Sequence, residues 1–477
     1  MGIVTTMRRA GSAFLRPVPR ETRENLARLW EELPPALRTR EQLVGRHFET
    51  CGATVGVQPR CDFSCVGCYL PKLANRTPGI SMEELDAQLA LLRERVGLWG
   101  NVQLTDGEVT LQTPEELEAI LDRFRAHGLI PMLMTHGDRL LHEPRLLDRL
   151  ARAGLREISF HIDSTQRGRR DPAYSSATRE EELNALRVEF ADLVRDVRAR
   201  TGIQLRVATT VTVGEENLGG VASLVRTLAE QSDVYRIISL QPVAQVGRTR
   251  EGLSAVNLDM VWDEIARGLS GMPDGASLLE DRLTFGHPDC SRVVLGLVKR
   301  TGTEVSYHTL RPANDPTQRA DVDAVYDRWG GWTLRADSAL VKIARLSGMF
   351  IQSPGLWLRR LLPYGWRWMG RLSGSGGGQL GGTRARLRQA LALLRRRSSL
   401  HGMAIVTHHF MDRQTLVTER GQERATACTF RVPHQGRLVS MCEFNASQGR
   451  AELYEALRRP TETEKPIDAP PKQPAVN

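Results

Sequence analysis

The sequence of 477 residues predicts an α/β fold built on a parallel sheet. Short apolar runs alternate with amphipathic helical segments from about residue 52 to about residue 242, and capping residues open several of those helices. Six strand–helix units in succession imply parallel strands joined by right-handed crossovers. Because a closed barrel of this kind has eight units, we expect a (βα)6 partial barrel of the TIM type.

The predicted strands are short and apolar, and each ends where a polar loop begins. They cover residues 53–59, 101–105, 130–135, 157–162, 204–211 and 237–241. The helices between them are predicted near residues 81–96, 113–127, 143–153, 180–201 and 218–231. Ser81 with Glu84, and Thr113 with Glu116, have the spacing of a capping box. Ligands of such barrels bind at the carboxyl ends of the strands, so we expect the functional residues in the loops that follow them.

Three cysteines lie close together in the loop after the first predicted strand. Cys61, Cys65 and Cys68 have the spacing C-x3-C-x2-C. Three thiolates can hold three irons of a [4Fe–4S] cluster and leave the fourth iron open to a small molecule. The alternative is a zinc knuckle, but structural zinc needs four protein ligands and no second cysteine pair lies nearby. The spacing therefore favours an open iron–sulfur cluster.

This cysteine spacing resembles the signature of the radical S-adenosylmethionine (SAM) superfamily. The resemblance implies that the open iron binds the amino and carboxylate groups of SAM. It also implies reductive cleavage of SAM to a 5′-deoxyadenosyl radical, with electrons from a reductant protein of the flavodoxin or ferredoxin type. The superfamily often has an aromatic residue before the third cysteine, whereas here Gly67 occupies that position and Tyr69 follows the cysteine.

The loop after the second strand resembles the GGEP motif of the superfamily. Thr105, Asp106, Gly107 and Glu108 form this loop, in which Asp106 replaces the first glycine of the motif. The resemblance implies that the loop holds the amino group of SAM, and a carboxylate beside an ammonium is physically reasonable. An ordinary turn after a strand is the alternative interpretation.

Two further strand ends carry candidate SAM-binding residues. His161 and Asp163 follow the fourth strand, and alternate residues of a strand point the same way. Resemblance to the superfamily implies contacts to the ribose and carboxylate of SAM here, while a simple strand-end cap is the alternative. Gln241, at the end of the sixth strand, resembles the position where the superfamily backbone meets adenine. His136 follows the third strand and could reach the site, but we expect it to be a solvated loop histidine.

The other cysteines are Cys51, Cys290, Cys428 and Cys442, and four is the number that one further [4Fe–4S] cluster needs. Cys428 and Cys442 flank a predicted hairpin, which would bring them together. We therefore expect a C-terminal auxiliary iron–sulfur region, with buried free thiols as the alternative. An odd total of seven cysteines, three of them with metal-site spacing, favours metal binding in a reducing cytoplasm over disulfides.

Charge and composition limit the partners of the chain. The formal net charge is +9, but aromatic residues make up only 5% of the sequence and do not alternate with basic residues. Nucleic acid is therefore not expected, whereas an anionic membrane surface would suit the charge. The N-terminus lacks the apolar region of a signal peptide, and no run of 18 apolar residues occurs. We expect a cytoplasmic protein that can associate peripherally with membranes.

The chain divides into six predicted segments. They are an N-terminal helical extension (1–50), the partial barrel (51–250), an intermediate region with a Trp/Arg-rich amphipathic insert (251–372), a Gly/Ser linker (373–382), a basic helix with the cysteine hairpin (383–458) and a disordered tail (459–477). The insert begins near residue 340. Its Trp rings and Arg side chains suit a membrane interface or lipid headgroups, with a helix packed on the barrel as the alternative.

Parts of the C-terminal half are similar to the archaeal tetraether lipid synthase group, whose members were earlier described as pterin methyltransferases. The matching segments are HPDC (287–290), HFMD (409–412) and the Cys442-to-Asn445 stretch. Ala427 stands where that group often has another cysteine, and the cysteine-rich N-terminal module of the archaeal enzymes is missing. The resemblance implies a lipid chain as substrate.

The sequence thus predicts a radical SAM enzyme that abstracts hydrogen from an unactivated carbon of a lipid chain, as a transferase or an oxidoreductase. Carbon–carbon coupling or alkyl modification would follow. Three alternatives stay open: a peptide-modifying radical SAM maturase with an auxiliary cluster, a pterin methyltransferase, and a non-catalytic iron–sulfur protein at the membrane. No general base is identifiable from the sequence, and radical abstraction does not require one.

Overall fold

The computed structural model describes residues 3–253, 256–275, 277–334, 338–374 and 381–458. In these residues one curled sheet organises the fold. Its strands are β1 (Gly52–Gly56), β2 (Asn101–Thr105), β3 (Ile130–Thr135), β4 (Glu157–His161), β5 (Arg206–Val213), β6 (Tyr235–Pro242), β7 (Ser291–Thr301), β8 (Glu304–Thr309), β9 (Ser399–His408), β10 (Phe430–His434) and β11 (Arg437–Ser440).

The order of the strands in the sheet is β11-β10-β1-β2-β3-β4-β5-β6-β9-β7-β8. Strands β1 to β6 are parallel neighbours in chain order, as the alternating pattern of the sequence predicts. The parallel sheet does not stop at six strands, however. Strand β10 pairs in parallel with β1, and β9 pairs in parallel with β6. The C-terminal half therefore covers both edges of the predicted partial barrel, which protects strands that would otherwise be open to pairing.

Helices connect the strands and cover the outer side of the sheet. The α-helices are Ile3–Leu15, Arg20–Glu32, Met82–Val96, Pro114–Ala126, Asp138–His142, Pro144–Ala153, Pro172–Ser175, Asn184–Thr201, Val221–Glu230, Leu258–Gly268, Pro316–Trp329, Ala339–Gln352, Pro354–Leu356, Leu362–Ser373, Thr383–Leu394, Arg413–Leu416, Glu419–Thr426, Met441–Ala446 and Gly449–Arg458. A π-helical turn, Trp357–Leu361, precedes Leu362–Ser373. The capping box of Thr113 and Glu116 is present. At Ser81 the side chain accepts a hydrogen bond from the Glu84 N–H.

The two faces of the sheet have different surroundings: one packs against the helices and the other borders a cavity. Alternate residues of a strand point to opposite faces, so Leu104 and Ile158 pack in the core while Gln103 and Ser159 line a cavity on the other face. The main hydrophobic core lies between the sheet and its helices. The inner face is left for ligands.

The Trp/Arg-rich insert packs against the protein more than expected from its sequence. Trp368 is buried and its ring contacts His308. Ion pairs join Arg360 and Arg367 to Asp321, and Arg371 to Asp274. These residues match the alternative of a helix packed on the barrel. The predicted linker lies partly, and the predicted tail wholly, outside the described residues. Among the described helices, none is both long and apolar enough to cross a membrane.

Candidate active site

The loop that carries Cys61, Cys65 and Cys68 lies at the carboxyl end of β1 and is held by the loops after β4 and β6. Around these cysteines the Ser64 N–H donates to the Arg167 carbonyl and the Val66 N–H to the Thr165 carbonyl. The three thiols line one cavity. Burial raises the pKa of Cys61 to about 12, with smaller contributions from Glu108 and the neighbouring thiol of Cys68. The thiols would therefore have to lose protons when a metal binds.

Arg248 adds a positive charge beside this cysteine loop. Its Nε lies 3.3 Å from the Sγ of Cys68, and its other end donates to the carbonyl of Phe63. Burial alone would lower the pKa of Arg248, but the nearby cysteine sulfurs outweigh burial and raise it. Three sulfurs on one cavity with an arginine beside them fit an anionic thiolate cluster that leaves one iron open. At this strand end the sequence singled out Gln241 and not Arg248.

Glu108 lies in the cavity but is already occupied by hydrogen bonds within the protein. Its carboxylate accepts from the N–H and hydroxyl of Thr110, from the hydroxyl of Thr135 and from the N–H of His136. Thr105 and Gly107 line the same cavity. The loop after β2 is therefore tied firmly to the end of β3.

Asp106 points away from the cavity, contrary to the expectation that its carboxylate meets SAM. It is buried and pairs with Arg450 of the last described helix, while the hydroxyl of Tyr454 donates to its Oδ2 at 2.9 Å. Its φ of +67° is in the region where glycine is favoured, and a glycine stands there in the superfamily motif. Its carboxylate also contacts Gly56, where a Cβ would clash. The side chain of Asp106 therefore anchors the last described helix, Gly449–Arg458, to the loop after β2.

His161 and Asp163 lie together but have different environments. His161 lines the cavity, whereas Asp163 is buried behind it, 2.6 Å from His161 Nε2. Burial would raise the pKa of Asp163, but the contact with His161 and hydrogen bonds from Thr165 and the Thr212 N–H outweigh it and lower the pKa to about 2. Asp163 thus orients His161 and does not itself face the cavity. Gln241 lines the cavity from β6.

The structure contradicts the prediction that His136 is a solvated loop residue. His136 is buried, stacks on Phe63 with ring centroids 3.6 Å apart, and lines the cavity. Its Nε2 lies 2.8 Å from the carboxylate of Asp62 and 3.2 Å from that of Glu108, and its Nδ1 accepts the Asp138 N–H. The sequence left both positions open for His136, because a histidine after a strand looks the same whether its loop folds inward or outward.

The four remaining cysteines come together on the far side of the cavity. Cys51 precedes β1, Cys290 precedes β7, Cys428 precedes β10, and Cys442 lies in the helix Met441–Ala446 after the predicted hairpin. Burial, then the charges of Cys428 and Cys290, raise the pKa of both Cys51 and Cys442, so the four sulfurs are electrostatic neighbours. The parallel pairing of β1 with β10 brings the segments of Cys51 and Cys428 to the same strand end.

Local contacts hold this set of four cysteines in place. Nε of Arg424 lies 3.3 Å from the Sγ of Cys290, and the Met411 N–H donates to the Sγ of Cys442 at 3.3 Å. Cys442 lines the same cavity as the loop cysteines, and Cys51 lines a second cavity further inside the sheet. Each of the two cysteine sets therefore borders at least one of two adjoining cavities.

Comparison with known proteins agrees with the geometry of the loop. Residues 55–226 match the family described as the radical SAM superfamily. A search of curated proteins found no significant match. Among solved structures, anSMEcpe with bound AdoMet is 12% identical with a TM-score of 0.31, over 49% of this chain and 61% of that one. This chain therefore spans less than two thirds of that protein.

Two other solved structures are similarly distant. Methylornithine synthase (PylB) is 15% identical with a TM-score of 0.32, over 55% of this chain and 77% of that chain. The FeFe-hydrogenase maturase HydG from Carboxydothermus hydrogenoformans is 13% identical with a TM-score of 0.31, over 55% of this chain and 58% of that chain. The family match and the cysteine loop are the grounds for assignment. Residues 55–226 match a radical SAM superfamily domain, an enzyme domain whose cofactors are a [4Fe–4S] cluster and SAM.

Proposed function

We propose that the protein uses SAM bound at the Cys61/Cys65/Cys68 cluster to abstract hydrogen from an unactivated carbon of a lipid chain. Carbon–carbon coupling or another modification of the alkyl chain would follow. SAM at the cluster would supply the 5′-deoxyadenosyl radical. The choice of a lipid chain as substrate is based on the apolar space that runs from the cysteine loop into the interior of the sheet.

This space consists of two adjoining cavities. The first contains the loop cysteines, and the second lies inside the curled sheet. The cavities share five lining residues: Gln103, Met134, Thr210, Gln241 and Phe430. Interiors of parallel barrels are usually filled by side chains, so a long internal cavity is a departure that suits a ligand.

Mostly apolar side chains line the space. Those of the inner cavity include Met132, Ala208, Ile237, Phe285, Val293 and Val406. Those of the outer cavity include Phe63, Leu70, Val243, Phe410, Met411 and Met441. Burying a methylene group stabilises a complex by about 0.8 kcal/mol. A chain of several methylenes would therefore bind here through its apolar burial, with no charged group on the ligand needed.

We further propose that Cys51, Cys290, Cys428 and Cys442 hold an auxiliary [4Fe–4S] cluster. Four sulfurs from four segments, of which Cys442 is buried and the other three are half-buried, are the ligand set that a closed cluster requires. Cys442 borders the outer cavity and Cys51 the inner one. A cluster there would sit beside the bound chain, where it could contact the substrate or accept an electron from it.

The test is the formation of 5′-deoxyadenosine by the anaerobically reconstituted protein with dithionite, with and without a total lipid extract. A variant with Cys61, Cys65 and Cys68 changed to Ala gives the blank. We expect lipid to stimulate release. The variant Ala208→Phe, which fills the inner cavity, should lose that stimulation but keep the background cleavage. Ala119→Phe, on the exposed face of the helix Pro114–Ala126, should behave like the wild type.

Two outcomes would contradict the proposal. Release that no lipid changes would keep the enzyme class and favour a peptide substrate, which can then be tried directly. Release no greater than the blank would favour a non-catalytic iron–sulfur protein.

A further inference from the structure

Two packed helices outside the sheet expose large apolar side chains. Ile3–Leu15 and Ala339–Gln352 contact each other through Ala10, Ala13 and Val341. Gly348 lies against the Phe14 carbonyl, where a Cβ would clash. The contact buries small residues and leaves the large ones outside.

Helical geometry puts the exposed residues of the two helices on one side. Ala10 packs in one cluster with Val341 near the start of the second helix, and Gln352 at its end donates to the Leu15 carbonyl at the end of the first. The two helices therefore run parallel. On both helices the exposed apolar positions follow the spacing of one helix face. They are Met7, Phe14 and Leu15 on the first helix and Leu340, Ile343, Phe350 and Ile351 on the second. The exposed stripe is rotated one way from the contact residues on the first helix and the opposite way on the second. In parallel helices that face each other, these opposite rotations put both stripes on the same side of the contact.

A second helix pair in the same part of the chain repeats this pattern. Thr383–Leu394 packs on Leu362–Ser373, with the guanidinium of Arg386 5.3 Å from the ring centroid of Trp366. Trp366 is 40% exposed, so part of its side chain remains accessible to another partner. Exposed leucines accompany it at helical spacing: Leu362 on one helix, and Leu387, Leu391 and Leu394 on the other.

The charge of this region is of one sign. Residues 338–397 contain twelve Lys and Arg residues and no Asp or Glu. Arg360, Arg367 and Arg371 are neutralised by aspartates from elsewhere in the fold. A further set of exposed arginines forms no ion pair with any residue that the structure describes: Arg384, Arg388, Arg395, Arg396 and Arg397. Exposed leucines beside unneutralised arginines need a partner that is apolar and anionic at once.

We propose that these four helices form a docking face for the surface of an anionic phospholipid bilayer. The large apolar residues would enter the boundary between headgroups and acyl chains, and the arginines would meet the phosphates. A second copy of the chain fits poorly, because a two-fold interface would set this cationic face against itself. Nucleic acid would meet the arginines but leave the leucines in water. The proposal does not depend on the reaction that the active site performs.

Vesicle co-sedimentation of the reconstituted full-length protein tests the proposal. We expect binding to an equimolar mixture of phosphatidylglycerol and phosphatidylcholine, and little binding to phosphatidylcholine alone. Changing Arg395, Arg396 and Arg397 to Gln should weaken the partition coefficient on the order of a hundredfold. The double variant Leu387→Asp/Leu391→Asp should abolish binding at any salt concentration.

Matched controls separate a specific face from net charge. Changing Arg125, Arg145 and Arg179 to Gln removes the same charge from other exposed sites and should leave binding nearly intact. Iron content and circular dichroism should be unchanged in all variants. Equal binding by wild type and the Leu variant, or no binding to anionic vesicles, would overturn the proposal. A dimer that the Leu variant abolishes would instead assign the face to self-association.

Discussion

Arg450 and Asp106 form a buried ion pair that joins the last described helix to the loop after β2. The Nε of Arg450 also donates to Asn445 at 2.8 Å, and its guanidinium lies 4.6 Å from the ring centroids of Tyr69 and Phe444. Tyr69 follows Cys68 directly, and Asn445 lies three residues after Cys442. One arginine thus contacts the neighbourhoods of both cysteine sets.

We expect removal of Arg450 to destabilise the protein more than removal of the whole ion pair. Arg450→Met leaves the Asp106 carboxylate buried without a cation, which typically costs about 3–5 kcal/mol. The double variant Asp106→Asn/Arg450→Met removes both charges and should recover much of that loss. The free energy of unfolding, from anaerobic urea titration, measures the coupling. Strictly additive effects of the single changes would show that the two residues do not depend on each other.

The same pair shows where sequence reasoning succeeds and where it stops. The loop Thr105 to Glu108 could be placed from its motif and from the strand before it, because both signals are local. The partner of Asp106 could not be predicted, since Arg450 lies 344 residues further along the chain. The motif therefore assigned Asp106 to SAM.

The strands show the same contrast between features that local sequence predicts and features that depend on distant residues. β2 and β3 have the bounds that were predicted, since periodicity and flanking turns mark them locally. The positions of β9 and β10 are set by long-range pairing with β6 and β1, the two edge strands of the six-stranded parallel sheet. No local pattern in the sequence records that. The grouping of the four distant cysteines depends on the same edge pairing.

Glu108→Gln should weaken SAM binding through the shape of its loop. The carboxylate accepts hydrogen bonds from Thr110, Thr135 and the His136 N–H, and the amide of Gln would turn a donor toward one of them. Loss of a hydrogen bond to a charged group costs about 1.5–3 kcal/mol, so we expect the Kd for SAM to rise roughly ten- to hundredfold. Equilibrium binding to the reconstituted protein measures it.

The control for this change is Glu116→Gln. Glu116 forms the exposed capping box with Thr113, remote from the cavity, and its change should leave the Kd for SAM unaltered. If Glu108→Gln binds SAM like the wild type, Glu108 does not shape the site.

Iron content should divide between the two cysteine sets. Wild-type protein reconstituted anaerobically should hold about eight irons per chain, as two [4Fe–4S] clusters require. The variant with Cys61, Cys65 and Cys68 changed to Ala, and the variant Cys428→Ala/Cys442→Ala, should each hold about four. Colorimetric iron and sulfide assays with Mössbauer spectra measure this. About four irons in the wild type, unchanged by Cys428→Ala/Cys442→Ala, would leave Cys51 and its neighbours as buried thiols.

His308 should make stability depend on pH. It is buried on β8, with Nε2 3.0 Å from the Ser306 hydroxyl, and burial, followed by the positive charges of Arg371 and Lys299, lowers its pKa to about 3. The unfolded chain binds a proton near pH 6.5, whereas the folded chain does not until about pH 3. Acid therefore favours the unfolded state throughout that window. Between about pH 7 and about pH 5 this histidine should remove about 2 kcal/mol from the free energy of unfolding.

The variant His308→Gln keeps a hydrogen-bonding partner for Ser306 but has no titratable group, so its stability should fall less steeply with acid. His142→Gln serves as the control, because His142 is exposed and lies on a separate helix. Loss of clusters in acid affects both variants alike, so the difference between their slopes isolates His308. Anaerobic urea titrations at the two pH values provide those slopes. Equal slopes for the two variants would mean that His308 is already protonated in the folded protein or open to water.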